Sequence, residues 1–168
     1  MQQRITKEAE ALIKHYGRDP FVIAENIGIE IKRCDLGSLK GMYTVILGNR
    51  FIVINQNLSE QQTKQVCAHE LGHDVLHRAF EENESFRELS VISMNTKPEY
   101  EASAFAAELL IDDRQLLSMV QEGKELSAIS GEMGVDENLL LIKIALMQKK
   151  GHKLNLPDVP RGDFLKNG

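Results

Sequence analysis

The chain has no tryptophan, only two cysteines and four prolines, and no apolar run that approaches a membrane span. Each shortage removes a class of protein. A helix crossing a bilayer needs about 20 consecutive apolar residues, so no membrane partner is expected. Residues 1–8 lack the apolar stretch of a signal peptide. Cys34 and Cys67 alone make no disulfide framework, which suits a reducing, cytoplasmic setting. Positive charge is also in deficit. The net charge is −5 where a nucleic-acid binder would show a basic excess, so no direct nucleic-acid contact is expected. What remains is a globular composition, 42% hydrophobic and 27% charged over 168 residues, enough for one well-cored domain with a small appendage.

Ile5, Ala9, Leu12, Ile13 and Tyr16 recur at helical spacing before a stop at Gly17. Asp19-Pro20 then opens a short helix with an N-cap and an early proline. Three β-rich runs follow at 29–34, 41–47 and 50–55, with Gly48-Asn49 as the hairpin turn between the last two, so a small three-stranded antiparallel sheet is expected. Ser59 and Gln62 form a capping box that starts a helix over about 59–80. Residues 81–97 show no clear periodicity. A second long helix, about 97–111, begins at Thr96-Lys97-Pro98-Glu99 and carries Ala102, Phe105, Ala106, Leu109 and Leu110 as its apolar face. Asp112-Asp113 caps a short helix, and residues 126–147 read as two helices about a turn at Gly134, spaced like a helix-turn-helix. Lys143, Lys149, Lys150 and Lys153 there read as solvated. The expected organisation is a core over 1–123, a helix-turn-helix-like part over 124–153 and an irregular tail over 154–168.

The stretch that carries chemistry is His69-Glu70-Leu71-Gly72-His73. Residues four apart share a helix face, so His69 and His73 can present two imidazoles to one ion. Glu70, turned about 100° from His69, can reach a water beside that ion without ligating it. Two ligands and a general base on one turn are the physical content of HExxH. Glu99 lies on the side of Ala102 and Ala106, and those small residues allow an approach close enough for Glu99 to reach the same ion. Three protein ligands leave the fourth position open, as catalytic zinc sites do. His77 lies about 6 Å further along the axis and reads as a partner of a ligand or a substrate-facing group. Tyr43, Tyr100 and His77 are the candidates for stabilising an oxyanion. Asp74 is a further possible partner of a ligand, with an exposed helix aspartate as the default, and Cys67 reads as a small buried residue. An extended substrate is expected along a sheet edge formed by Phe51, Ile52, Val53 and Ile54.

The run His69-Glu70-Leu71-Gly72-His73-Asp74-Val75-Leu76-His77, taken with Glu99-Tyr100-Glu101-Ala102-Ser103-Ala104-Phe105-Ala106-Ala107-Glu108-Leu109-Leu110, resembles the ImmA/IrrE family of metallopeptidases. The likeness covers roughly residues 3–150. It implies a mainly helical, zincin-like α+β domain with Zn²⁺ as cofactor and Glu99 as third ligand, Glu101 being the alternative. It also implies cleavage of a regulatory protein, usually a helix-turn-helix repressor of a mobile element, prophage or stress response. Ile111-Asp112 stands where the family usually has Met-Pro, which alters a helix end and not the metal site. Two other functions share these residues. A non-catalytic zinc-binding sensor needs no base at Glu70. A DNA-binding regulator would use residues 126–150, against the acidic balance of the chain.

Overall fold

A computed structural model of the chain describes residues 2–81 and 97–154; the expectations for the rest of the aperiodic segment, for Thr96 and for the tail beyond Leu154 lie outside the described residues. The fold is a predominantly helical α+β arrangement, with seven helices and one three-stranded sheet among the described residues. The chain divides into two compact units, Met1–Leu110 and Ile111–Gly168. No helix among the described residues is long and apolar enough to cross a membrane.

In the first unit, α1 (Gln2–Tyr16) and α2 (Pro20–Asn26) precede strands β1 (Ile29–Cys34), β2 (Gly41–Ile46) and β3 (Asn49–Asn55), and helices α3 (Glu60–Glu81) and α4 (Lys97–Leu110) complete it. Helix starts follow local chemistry. The Asp19 carboxylate accepts from the N–H groups of Phe21 and Val22, with Pro20 in the first turn. Ser59 and Gln62 exchange bonds reciprocally, Gln62 N to Ser59 Oγ at 3.2 Å and Ser59 N to Gln62 Oε1 at 3.1 Å. α3 packs against β2, β3, α2 and α4, and α1 packs against α4. Arg18 Nη1 donates to the carbonyls of Glu108 and Leu109, satisfying the last turn of α4.

The sheet departs from the antiparallel expectation. Its order is β1-β3-β2, with β3 antiparallel to β2 and parallel to β1, so it is mixed. Asn55, a buried polar residue at the end of β3, ties this arrangement together. Its Nδ2 donates to Gly37 O at 3.0 Å and Leu39 O at 2.9 Å, and its backbone N–H donates to Lys40 O. These bonds hold the link from β1 to β2 across the end of β3, which slots between the other two strands. Phe51, Ile52, Val53 and Ile54 therefore lie in the central strand, with partners on both sides, and are not a sheet edge. The hairpin turn also moves by one residue. Ile46 pairs with Asn49, leaving Leu47 and Gly48 as the loop, at φ +51° and +77°. That is the sign pattern of a type I′ turn, which matches strand twist but strains a leucine.

The second unit contains α5 (Asp113–Gln121), α6 (Leu126–Met133) and α7 (Glu137–Lys149). Asp112 and Asp136 cap α5 and α7, and Gly134 ends α6 in the left-handed conformation. Lys143 is not solvated as expected. It is 1% exposed, and its Nζ lies 2.5 Å from Asp113 Oδ1, so the charge is buried as an ion pair between α7 and α5.

Candidate metal centre

His69 and His73 sit one turn apart on α3, and the glycine between them decides what can approach. A Cβ at Gly72 would lie 3.0 Å from both Cα and O of Ala102 and 3.3 Å from Cβ of Phe105. The absent side chain, with the small residue opposite, lets α4 cross α3 at close range. Glu99, one turn before Ala102, is thereby delivered to the two imidazoles. His69 Nε2 is 3.2 Å from Glu99 Oε2 and 3.2 Å from His73 Nε2, and His73 Nε2 is 3.4 Å from Glu99 Oε1. A tetrahedral zinc ion with ligands at about 2.0–2.1 Å spaces them about 3.3–3.4 Å apart. The three donors fit that spacing and those ligand types. The side chains of His69, His73 and Glu99 are 26%, 12% and 32% exposed, so the cluster opens to solvent on one side. The His69 and His73 rings beside Glu99 hold its carboxyl well below the usual carboxylate range, keeping it anionic.

Glu70 is buried on the sheet side of this cluster. Burial pushes its pKa up and the Glu99 charge adds to that, while His69, His73 and the backbone N–H of Tyr43 oppose it. Close packing puts it there. Gly41, at the start of β2, leaves no room for a Cβ against Val66 and brings the strand beside Glu70 Oε1. The strand is fixed to α3 by Asp74, which is buried rather than exposed. Tyr43 Oη donates to Asp74 Oδ1 at 2.8 Å, and Arg50 Nη1 donates to both carboxylate oxygens at 3.1 and 3.0 Å. Arg50 Nη2 also bonds Ile27 O.

The far side of His69 is engaged from α4, and that of His73 from the next turn of α3. His69 Nδ1 is 3.2 Å from Ser103 Oγ. His73 Nδ1 is 3.4 Å from Nδ1 of His77, whose Nε2 is 2.9 Å from Glu101 Oε2. Burial pushes the His77 pKa down, against the opposing bond to Glu101.

A family description, the IrrE N-terminal-like peptidase domain, matches residues 24–144, a span that holds every residue of this cluster. The chain belongs to that family. It is 38% identical over 112 residues to uncharacterized immunity region protein 2 of Bacillus phage phi105, an alignment covering 65% of this chain and 69% of that protein. It is 33% identical over 116 residues to the metallopeptidase ImmA of Bacillus subtilis strain 168, covering 67% of this chain and 66% of ImmA. The chain thus spans about two thirds of each relative's length. Membership carries a metallopeptidase activity, with a metal and a protein substrate.

Of the residues singled out by sequence, His69, His73 and Glu99 converge, and Glu70 lies against them. Glu101, the alternative third ligand, bonds His77 instead. Tyr43 contributes through its backbone to Glu70 while its hydroxyl goes to Asp74. Tyr100 is half-buried next to Glu99 on α4. Asp74, a possible ligand partner in the sequence, is buried and holds Tyr43 and Arg50. Gly72 and Ser103 were not singled out as parts of the site. A glycine inside a helix was the available signal.

Proposed function

We propose that the chain is a zinc-dependent endopeptidase of the cytoplasm that cleaves a regulatory protein, a helix-turn-helix repressor. The observation that carries this reading is the triangle of His69, His73 and Glu99, with donors 3.2–3.4 Å apart and the buried Glu70 carboxylate beside it. Zinc is favoured by the mixed imidazole–carboxylate donors. Family membership supports peptide hydrolysis, and relatives named for an immunity region and for metallopeptidase activity support a regulatory target. Two free cysteines, Cys34 and Cys67, suit the reducing compartment.

Zinc bound by these residues supplies a positive charge that polarises the scissile carbonyl and acidifies water. Glu70 takes the proton from the attacking water as its oxygen bonds the carbonyl carbon, then hands it to the amine nitrogen as the C–N bond breaks. A buried carboxyl with a raised pKa suits both acts. Glu99 stays anionic and serves as ligand only. Among the oxyanion candidates, the Tyr43 hydroxyl and the His77 ring are bonded to Asp74 and Glu101. Tyr100, half-buried beside Glu99, is the candidate whose hydroxyl bonds neither of these carboxylates. The substrate backbone lies along β2, the outer strand beside Glu70.

The test is zinc content and repressor cleavage for the wild type and Glu70→Gln. Both proteins should hold zinc, and the variant should lose at least about a hundredfold in turnover. Zinc in both with cleavage by neither turns the reading to a metal-bound regulator that acts by binding. No zinc in either removes its foundation.

A further inference from the structure

We propose that Glu101 and His77 are positioning residues for His73, forming a carboxylate–histidine–histidine chain that sets the tautomer and ring plane in which His73 offers Nε2 to the metal. The proposal rests on the metal reading above and adds residues that it does not use.

The argument is one of proton placement. His73 Nε2 faces His69 Nε2 and Glu99 Oε1 at 3.2 and 3.4 Å. To ligate, that nitrogen must be bare, so the ring proton sits on Nδ1. His73 Nδ1 faces His77 Nδ1 at 3.4 Å, which must therefore accept. The single proton of a neutral His77 then sits on Nε2, 2.9 Å from Glu101 Oε2, and a carboxylate can only accept. Every ring proton along the chain then has one place. The reverse polarity fails at both ends, because it needs a carboxylate that donates and a ligand nitrogen that carries a proton.

The surroundings hold this chain in place. The His77 and Glu101 side chains are only 9% and 13% exposed. The other Glu101 oxygen lies 3.8 Å from Lys97 Nζ. His69 is served separately by Ser103. The anion at the far end raises the basicity of the ligand nitrogen and stops the ring turning, the role that carboxylates one bond beyond a metal ligand commonly play. It acts through an extra imidazole because Glu101 lies on α4 beside His77, a turn further along α3 than His73.

Glu101→Gln keeps an acceptor for His77, whereas Glu101→Leu removes it. Long-range nitrogen–proton NMR of the zinc-loaded protein reads the ring tautomers, chelator competition reads zinc affinity, and melting of the zinc-free protein reads the fold. The wild type should show His73 protonated on Nδ1 and His77 on Nε2. Glu101→Leu should lose the His77 tautomer preference and about 10- to 100-fold in zinc affinity, with Glu101→Gln retaining the tautomer and losing less than about fivefold. A wild-type His77 carrying its proton on Nδ1, or a folded Glu101→Leu protein binding zinc within twofold of wild type, overturns the proposal and leaves the peptidase reading intact. Should Glu101→Leu not fold, the wild-type spectrum and Glu101→Gln decide. A wild type that takes up no zinc overturns both.

Discussion

Gly72→Ala tests whether the close crossing of α3 and α4 builds the metal site. The new methyl would meet Ala102 Cα and O at 3.0 Å and Phe105 Cβ at 3.3 Å. Carbon contacts settle at about 3.5–4.0 Å, so α4 must retreat by roughly 0.5–1 Å. Two effects on stability oppose each other. Alanine gains up to about 1 kcal/mol over glycine within a helix, and overpacking of a dense contact costs about 1–3 kcal/mol. The net loss is about 0–2 kcal/mol, a fall of a few degrees in melting temperature. The metal site tolerates far less, since ligand distances must hold to about 0.2 Å and Glu99 is carried on the displaced helix. Zinc affinity should drop by at least about tenfold, or about 1.4 kcal/mol, while the protein stays folded. Chelator competition and a melt of the zinc-free protein measure the two separately. A Gly72→Ala protein that binds zinc within threefold of wild type would show that α4 is not positioned by this contact.

Three further outcomes follow from the first unit. Leu47 is 96% exposed at φ +51°, so Leu47→Asn, which gives the favoured Asn-Gly loop, should stabilise by about 0.5–1 kcal/mol; a lower melting temperature would contradict the turn. Burial pushes the Cys67 thiol up to about 12, while Cys34 is exposed. Iodoacetamide at pH 8 should therefore label Cys34 alone in the folded chain and both cysteines in denaturant. Since the folded thiol keeps its proton where the unfolded one, near 9.0, loses it, stability should also fall as pH rises from about 9 to about 12.

Features written in adjacent residues were legible in the sequence. Asp19-Pro20 and the Ser59–Gln62 pair fix helix starts through bonds spanning two or three positions, and the structure repeats them. The HExxH spacing guarantees that His69 and His73 share a face, and the alanines of α4 announced a close neighbour. Sheet order was not legible in the same way. Whether β3 pairs on one side or both is a matter of non-local contacts, such as the bonds of Asn55 to a loop 16 to 18 positions away, which strand periodicity does not register. The hairpin shifted because Leu47 accepts a positive φ that residue preference assigns to Asn49. Lys143 and Asp74 were read as solvent-facing because charge usually is; their partners, Asp113 and Arg50, are set by packing. Ser103 and Glu101 remained invisible as partners of His69 and His77, since α3 and α4 meet only in the fold.

Tyr43 is tied twice to α3, by its N–H to Glu70 and by its hydroxyl to Asp74. The outer strand and the helix carrying Glu70 are thereby joined at two points, like a rule screwed to a blade. A peptide paired with that strand keeps the same side chains on the same face only when it shifts by two residues, about 6.6 Å. Slippage by one residue would turn every side chain over. If the substrate pairs with β2 as proposed, its target would be read in two-residue graduations, and a cut would be relocated by jumps and never by gradual sliding past the blade.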